Sequence, residues 1–300
     1  MSKFKSYIIA FRLRTLPLAL SSILMGNFIA AYHQAYNWQV GILAIVTTIL
    51  LQVLSNVAND YGDAVSGADN EERVGPERMV STGKISTSEM KITVILFSIL
   101  SLISGLVLIS YGNFEAMSIK AWGLLVLGVG AIAAAIKYTV GKNPYGYKGM
   151  GDFFVFLFFG LAGVLGTYFL HTGSFNVWLL LPASAIGFLS TGVLNLNNLR
   201  DVENDTKTGK NTLVVKNGSS WGKKYHAFLL IGAMVLMAVY GVFQFNSSWQ
   251  WLFVPVFVIL IKNLVFVRKN QEPKLLDPQL KKLAIATFLL VLLSGFGLFF

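Results

Sequence analysis

Asn56, Asn59, Asp60 and Asp63 stand at i, i+3, i+4 and i+7 in the stretch Asn-Val-Ala-Asn-Asp-Tyr-Gly-Asp. On a helix this spacing puts two amides and two carboxylates on one face. A second set has the same geometry. Asn197, Asp201 and Asp205 are at i, i+4 and i+8, and Asn198 lies three residues before Asp201. Like charges one helical turn apart repel, and the cost rises beside a low-dielectric phase. Such clusters call for a cation. Every ligand on offer is an oxygen, which suits Mg²⁺ or Ca²⁺, and a Mg²⁺ site with few carboxylates usually shares the ion with a substrate phosphate. Two facing clusters would hold Mg²⁺ over a diphosphate.

Basic residues flank both stripes. Arg73, Arg78 and Lys84 follow the first, with Asp69 in the same loop, and Arg200, Lys207 and Lys210 sit within or after the second. Arg and Lys bind diphosphate oxygens and offset the charge of a leaving group; Arg78, Arg200 and Lys210 are the candidates for that role. A third stretch, Tyr147-Lys148-Gly149-Met150-Gly151-Asp152, is glycine-rich and could bring backbone close to a ligand. It adds Lys148 and Asp152 to the candidate contacts, although an acid that opens a helix also serves as a simple cap.

The elements that carry these residues are membrane spans. Of the 300 residues, 55% are hydrophobic and only 13% charged, and mean hydropathy is +0.64. An average soluble domain is about 45–50% apolar and about 25% charged, so a soluble globule and a disordered chain are both excluded. Nine apolar stretches are long enough to cross a bilayer: 16–33, 38–58, 91–111, 121–139, 152–171, 178–198, 226–245, 250–267 and 281–299. Strand-like alternation is absent, which argues against an outer-membrane barrel. The expected fold is an all-α polytopic bundle of nine transmembrane helices forming a single domain over 1–300.

The charge pattern orients the bundle. Of 24 Lys and Arg, all but Lys120 fall at one set of span ends, and so do 13 of the 14 Asp and Glu. The positive-inside rule assigns that face to the cytoplasm, with the N-terminus inside and Phe300 outside. The rule does not require the acids to follow, so the acids mark function on that face. The net charge of +10 is therefore read as topology and not as affinity for nucleic acid. With no cysteine there is no disulfide framework and no thiolate chemistry. Lys3, Lys5, Arg12 and Arg14 precede an apolar run that lacks a small-residue cleavage site, so it reads as the first span and not as a signal peptide. His33 and His171 fall at the external boundary and His226 at the cytoplasmic one, and the three form no site. The acidic ends of spans two and six, four spans apart, suggest a four-helix unit used twice with the ninth span added.

The Asn59–Asp63 and Asp201–Asp205 motifs resemble the two Asp-rich motifs of the UbiA-type intramembrane prenyltransferases. Within that family the chain looks most like the branch that prenylates 1,4-dihydroxy-2-naphthoate. The branch likeness rests on Arg14-Thr15-Leu16-Pro17, on the Asp63–Asp69 gap, on Gly75-Pro76-Glu77-Arg78, on Tyr147 to Asp152, and on Gly209-Lys210-Asn211-Thr212. The resemblance implies nine helices around a central cavity whose cytoplasmic mouth binds a polyprenyl diphosphate through Mg²⁺. Asn59, Asp63, Asp201 and Asp205 would be the metal–diphosphate residues, assisted by Asp60 and Asp69. It also implies an electron-rich ring that attacks the allylic carbon, loss of the ring carboxylate as CO₂, and demethylmenaquinone as product. Lys84 departs from the branch, which often has an apolar residue there.

Two rival readings have signatures of their own. A sister prenyltransferase making a ubiquinone precursor, haem O or a chlorin ester would show a shorter Asp-x-x-x-Asp gap in the first motif. A cation-coupled transporter would place acids near the bilayer midplane on broken helices, whereas these acids lie at one boundary.

Overall fold

A computed structural model of the chain describes residues 2–68, 75, 77–115, 117–244 and 246–300. Among the described residues there is no strand, and nine helical rods are long and apolar enough to cross a membrane.

A short helix, α1 (Lys3–Phe11), precedes the first full span, α2 (Leu16–Tyr32). The remaining long rods are α3 (Trp38–Val65), α4 (Thr87–Ser110), α5 (Ile119–Lys137), a composite of α6 (Gly151–Val155) and α7 (Gly163–Thr172), and α8 (Leu180–Arg200). Two short helices, α9 (Val202–Lys207) and α10 (Leu213–Asn217), lead to α11 (Ser219–Phe243), α12 (Pro255–Lys269) and α13 (Asp277–Gly297).

Local chemistry sets the ends. Asn37 caps α3 by accepting from the backbone N–H groups of Gln39 and Val40. Ser86 and Glu89 form a reciprocal capping box at α4. The chain leaves α7 at Gly173, whose φ of +64° suits glycine. Each of the nine expected spans corresponds to one rod, but several rods outrun the apolar stretch. Thus α3 continues to Val65, past the expected end at 58, and α11 begins at Ser219, ahead of 226. Hydropathy marks the bilayer-facing length, whereas backbone hydrogen bonding carries the helix beyond it. That continuation keeps the whole Asn56–Asp63 stripe helical.

Packing divides the apolar residues. One cluster joins α2, α7, α8, α11, α12 and α13 through residues such as Ile29, Ile186, Leu189, Leu230, Leu260 and Leu290. Another joins α1, α3 and α4 through Ala10, Leu54, Val57, Met79 and Met90. Close approach is needed where Gly160 meets α8: a Cβ there would lie 2.7 Å from the Ala183 carbonyl and from Gly187 Cα. Gly160 sits in a π-helical stretch, Phe156–Ala162, between α6 and α7. The outer face of α4 carries Ile92, Ile95, Leu96, Ile99, Ile103 and Leu106, all exposed, as a lipid-facing stripe requires.

Candidate active site

A cavity of about 510 Å³ runs through the bundle, with α3 and α8 contributing opposite walls. Its charged end is lined by Asn56, Asn59 and Asp63 from α3 and by Asn197, Asn198 and Arg200 from α8. Asp201, Asp205, Arg78 and Lys210 complete that end. Behind them the walls turn apolar, with Leu18, Leu51, Leu108, Leu127, Phe158 and Leu170. The two stripes therefore open into one space.

Asp63 is heavily engaged, and it is 2% exposed. Arg78 Nη2 donates to Oδ2 at 2.6 Å, Lys210 Nζ donates to Oδ1 at 2.9 Å, and the Tyr147 hydroxyl donates to Oδ1 at 2.7 Å. Three separate loops thus converge on one side chain of α3. Lys210 belongs to the second motif's tail, so this contact also ties the two motifs together, as does Asn204 Nδ2 donating to the Ala68 carbonyl at 3.4 Å.

Asp60 is one step round the same helix and equally buried, but it does not line the cavity. Its Oδ2 accepts from Met79 N at 3.0 Å and its Oδ1 from Val80 N at 3.1 Å. It fixes the backbone next to Arg78. Asn59 reaches the cavity and accepts from the Thr139 hydroxyl at 3.2 Å. Asn56 donates to the Phe11 carbonyl at 2.9 Å and to the Thr15 hydroxyl at 3.1 Å, which fastens the turn between α1 and α2 to α3.

On the opposite wall Arg200 grips Asp201 with two bonds, Nε to Oδ1 at 2.8 Å and Nη2 to Oδ2 at 2.7 Å. Its Nη2 also donates to Asn197 Oδ1 at 2.7 Å, and its Nη1 to Asp277 Oδ1 at 2.5 Å. Asp277 opens α13 and lines the cavity; no motif signalled it. Asp205 lines the cavity from α9 and is buried.

The glycine-rich stretch acts differently from its expected role. Residues 145–148 form a single 3₁₀ turn ended by Gly149 at φ +80°. That turn delivers Tyr147 to Asp63, while Lys148 is exposed and outside the cavity, its carbonyl accepting from Lys216. Tyr145 also lines the cavity; its hydroxyl donates to the Ala134 carbonyl at 2.9 Å, and burial pushes its phenol above the usual tyrosine range. Asp152 is buried but stands outside the cavity, beside the Tyr225 hydroxyl. Asp69 and Arg73 lie outside the described residues. Lys84, the departure from the branch pattern, pairs with Glu77 and does not reach the cavity.

Two histidines make polar pairs outside the cavity lining. His171 contacts Asn27 Oδ1 at 2.7 Å and accepts from Asn37 N at 3.1 Å, and His33 contacts the Tyr168 hydroxyl at 2.8 Å. The three histidines occupy separate places, with His226 bonded to Asn263.

Among the described residues no three His, Cys, Asp or Glu side chains come close enough to hold a metal by themselves. The donor set instead suits an ion completed by a ligand. Carboxylates and amides from two walls meet one space, and the cations beside them match an anion.

Comparison with known proteins agrees with this architecture. The model of the UbiA prenyltransferase family matches residues 19–288. A 1,4-dihydroxy-2-naphthoate octaprenyltransferase of Escherichia coli is 40% identical over 299 residues, covering 100% of this chain and 96% of that one. The enzyme of the same name from Haemophilus influenzae is 44% identical over 300 residues, covering 99% and 96%. Among solved structures, a UbiA homolog from Archaeoglobus fulgidus bound to DMAPP and Mg²⁺ superposes with a TM-score of 0.64 at 19% identity, covering 95% of this chain and 98% of that one. The apo UbiA homolog from Aeropyrum pernix gives 0.67 at 13% identity, covering 100% and 98%. At these identities the structures speak for the fold alone.

Proposed function

We propose that this chain, which belongs to the UbiA prenyltransferase family, transfers a polyprenyl group from polyprenyl diphosphate to 1,4-dihydroxy-2-naphthoate. The reading is supported by full-length relatives of that name at 40% and 44% identity. The observation that carries the chemistry is the meeting of the two Asp/Asn stripes with Arg78, Arg200 and Lys210 at one end of a cavity whose walls also include Leu18, Leu51, Leu108, Leu127, Phe158 and Leu170.

In this reading Asn59, Asp63, Asp201 and Asp205 hold Mg²⁺ together with the diphosphate. The bound ion supplies positive charge to the departing diphosphate. Asp63 and Asp201 are each occupied by the chain's own cations. Donor binding would therefore call for an exchange of partners, with Arg78, Lys210 and Arg200 available to phosphate oxygens and the carboxylates they release available to hold the ion. Those three side chains also offset the negative charge that grows on the leaving group. The allylic C–O bond breaks with its electron pair going to diphosphate. The electron-rich ring carbon that bears the carboxylate forms the new C–C bond, and loss of that carboxylate as CO₂ returns the electron pair of its C–C bond to the ring. The product is the demethylmenaquinone skeleton at the hydroquinone level. Apolar walls behind the mouth exclude water from the cationic allyl group and take the isoprenoid tail.

The charged end faces the cytoplasm in this proposal, with the N-terminus inside and the C-terminus outside, a reading that the distribution of Lys and Arg supports. Purified membranes given a polyprenyl diphosphate, Mg²⁺ and either dihydroxynaphthoate or 4-hydroxybenzoate test the reading. Prenylated product from the naphthoate alone supports it, and product only from 4-hydroxybenzoate moves the chain to another branch.

A further inference from the structure

Asp277 lies outside both motifs, yet its side chain reaches the second one. It is the first residue of α13 and lines the cavity. An acid in the first turn of a helix ordinarily serves that helix's own N–H groups and dipole. Among the described residues the Asp277 carboxylate accepts from no backbone N–H. It accepts instead from Arg200 Nη1 at 2.5 Å, at the end of α8. Its other oxygen, Oδ2, stands 4.0 Å from Nη1 of the half-exposed Arg14.

The packing around Asp277 fixes this placement. Leu276, immediately before it, is buried in the apolar cluster that joins α8 and α13. Gln279, two residues on, is held by Asn263 Nδ2, which donates to the Gln279 carbonyl at 3.3 Å and to its Oε1 at 3.2 Å. His226 contacts Asn263 Oδ1 at 2.9 Å in turn. Thus α11 and α12 anchor the first turn of α13, and Asp277 does not travel with the second motif.

Arg200 needs such an anchor. Its side chain is 1% exposed. Asp201 occupies Nε and Nη2, whereas Asp277 occupies Nη1, so the two acids hold different nitrogens of one guanidinium. Once Asp201 is given up to a metal ion, a guanidinium with no second carboxylate is an uncompensated buried charge. Its pull on Asp201 then opposes metal and donor together. With Asp277 still on Nη1 the charge stays compensated, and Nε and Nη2 become available to phosphate.

We infer that Asp277 is a positioning residue for the donor site: it keeps Arg200 at the cavity wall while Asp201 is released, and so eases the exchange of Asp201 for phosphate. The inference rests on the donor proposed above. Asp277 acts through Arg200 and holds neither the ion nor the substrate itself.

The test is binding of geranyl diphosphate with Mg²⁺ to the purified full-length protein in detergent, read by titration calorimetry. The variants are Asp277→Asn, Asp277→Glu, Arg200→Gln and the double variant Asp277→Asn with Arg200→Gln. Asp277→Asn should weaken geranyl diphosphate about ten- to a hundredfold, the range for a lost charge-assisted bond, and Asp277→Glu should recover part of the loss. Steady-state kinetics should show the same rise in the KM for the prenyl diphosphate, with the acceptor KM unchanged. Arg200→Gln should also bind weakly, and adding Asp277→Asn to it should weaken binding by no more than about a further twofold, because the acid then has no guanidinium to hold. A role confined to holding α13, or a direct place on the metal, would make the two losses multiply. Multiplying losses overturn the inference, and so does an unchanged affinity in Asp277→Asn. A wild-type protein that binds no geranyl diphosphate overturns the donor class proposed above, and the inference with it.

Discussion

Asp60 and Asp63 are both carboxylates on one face of α3, yet their surroundings give them different work, and Asp60→Asn separates the two. Asp60 accepts from two buried amides, Met79 N and Val80 N. An asparagine can accept from one of them through its carbonyl and presents N–H to the other. One buried donor then has no partner, which costs about 1–3 kcal/mol, or about five- to 150-fold in how often the 79–80 backbone detaches. Arg78 is the adjacent residue, and its Nη2 lies 2.6 Å from Asp63 Oδ2. Detachment withdraws that guanidinium from the diphosphate site, although Asp60 itself does not line the cavity. The expected result is a rise of about tenfold in the KM for the prenyl diphosphate, an acceptor KM and a kcat close to those of the wild type, and faster amide exchange at 79 and 80. Hydrogen exchange read by mass spectrometry and steady-state kinetics on the same preparation give both numbers. A kcat lower by roughly a thousandfold with unchanged exchange would refute the reasoning and put Asp60 in the chemistry.

Three further outcomes follow from the same geometry. Asp63→Asn and Asp201→Asn should each reduce transfer by at least about a hundredfold in protein that still extracts and purifies as a monodisperse species; full activity in either would remove that residue from the metal–diphosphate set. Because both carboxylates already hold internal cations, Mn²⁺ alone should bind weakly, and inorganic diphosphate should tighten it within the roughly five- to 150-fold range of ordinary coupling; an electron paramagnetic resonance titration giving equal affinities contradicts the exchange of partners. Tyr145 is an acid whose folded pKa is raised, so its contribution to stability is fully present below the unfolded value of about 10 and is lost as pH rises above it. Between pH 9 and 11 the wild-type Tm should fall more steeply than that of Tyr145→Phe, and equal slopes would show that the phenol does not keep its proton.

The spans could be read from the sequence because bilayer-crossing helices are specified by composition over about 20 residues, and each expected stretch has its rod in the structure. The two polar stripes were legible for a similar reason: helical periodicity alone puts Asn56, Asn59 and Asp63 on one face. Periodicity does not say what that face meets. Asp60 shares the stripe, but the returning loop that supplies Met79 N and Val80 N takes both of its oxygens. Lys148 and Asp152 carry the right chemistry in a suggestive stretch, yet a 3₁₀ turn presents Tyr147 in their place. Arg12 and Asp277 were invisible as cavity residues for the opposite reason, and Arg14 was named only within a motif. As isolated charges at a helix end they look like ordinary boundary residues, and only a left-handed backbone at Arg12 and the packing of α13 turn them toward the cavity.

The central claim is that one cavity joins a metal-bound polyprenyl diphosphate to dihydroxynaphthoate. Product analysis on the purified protein, supplied with both substrates and Mg²⁺ with or without chelator, tests it most directly. The account predicts a prenylated naphthohydroquinone and CO₂ in equal amounts, both abolished by chelator and both absent in Asp63→Asn. Prenyl transfer that continues in full with the chelator present, or no naphthoate product from folded protein that binds the diphosphate, would contradict it.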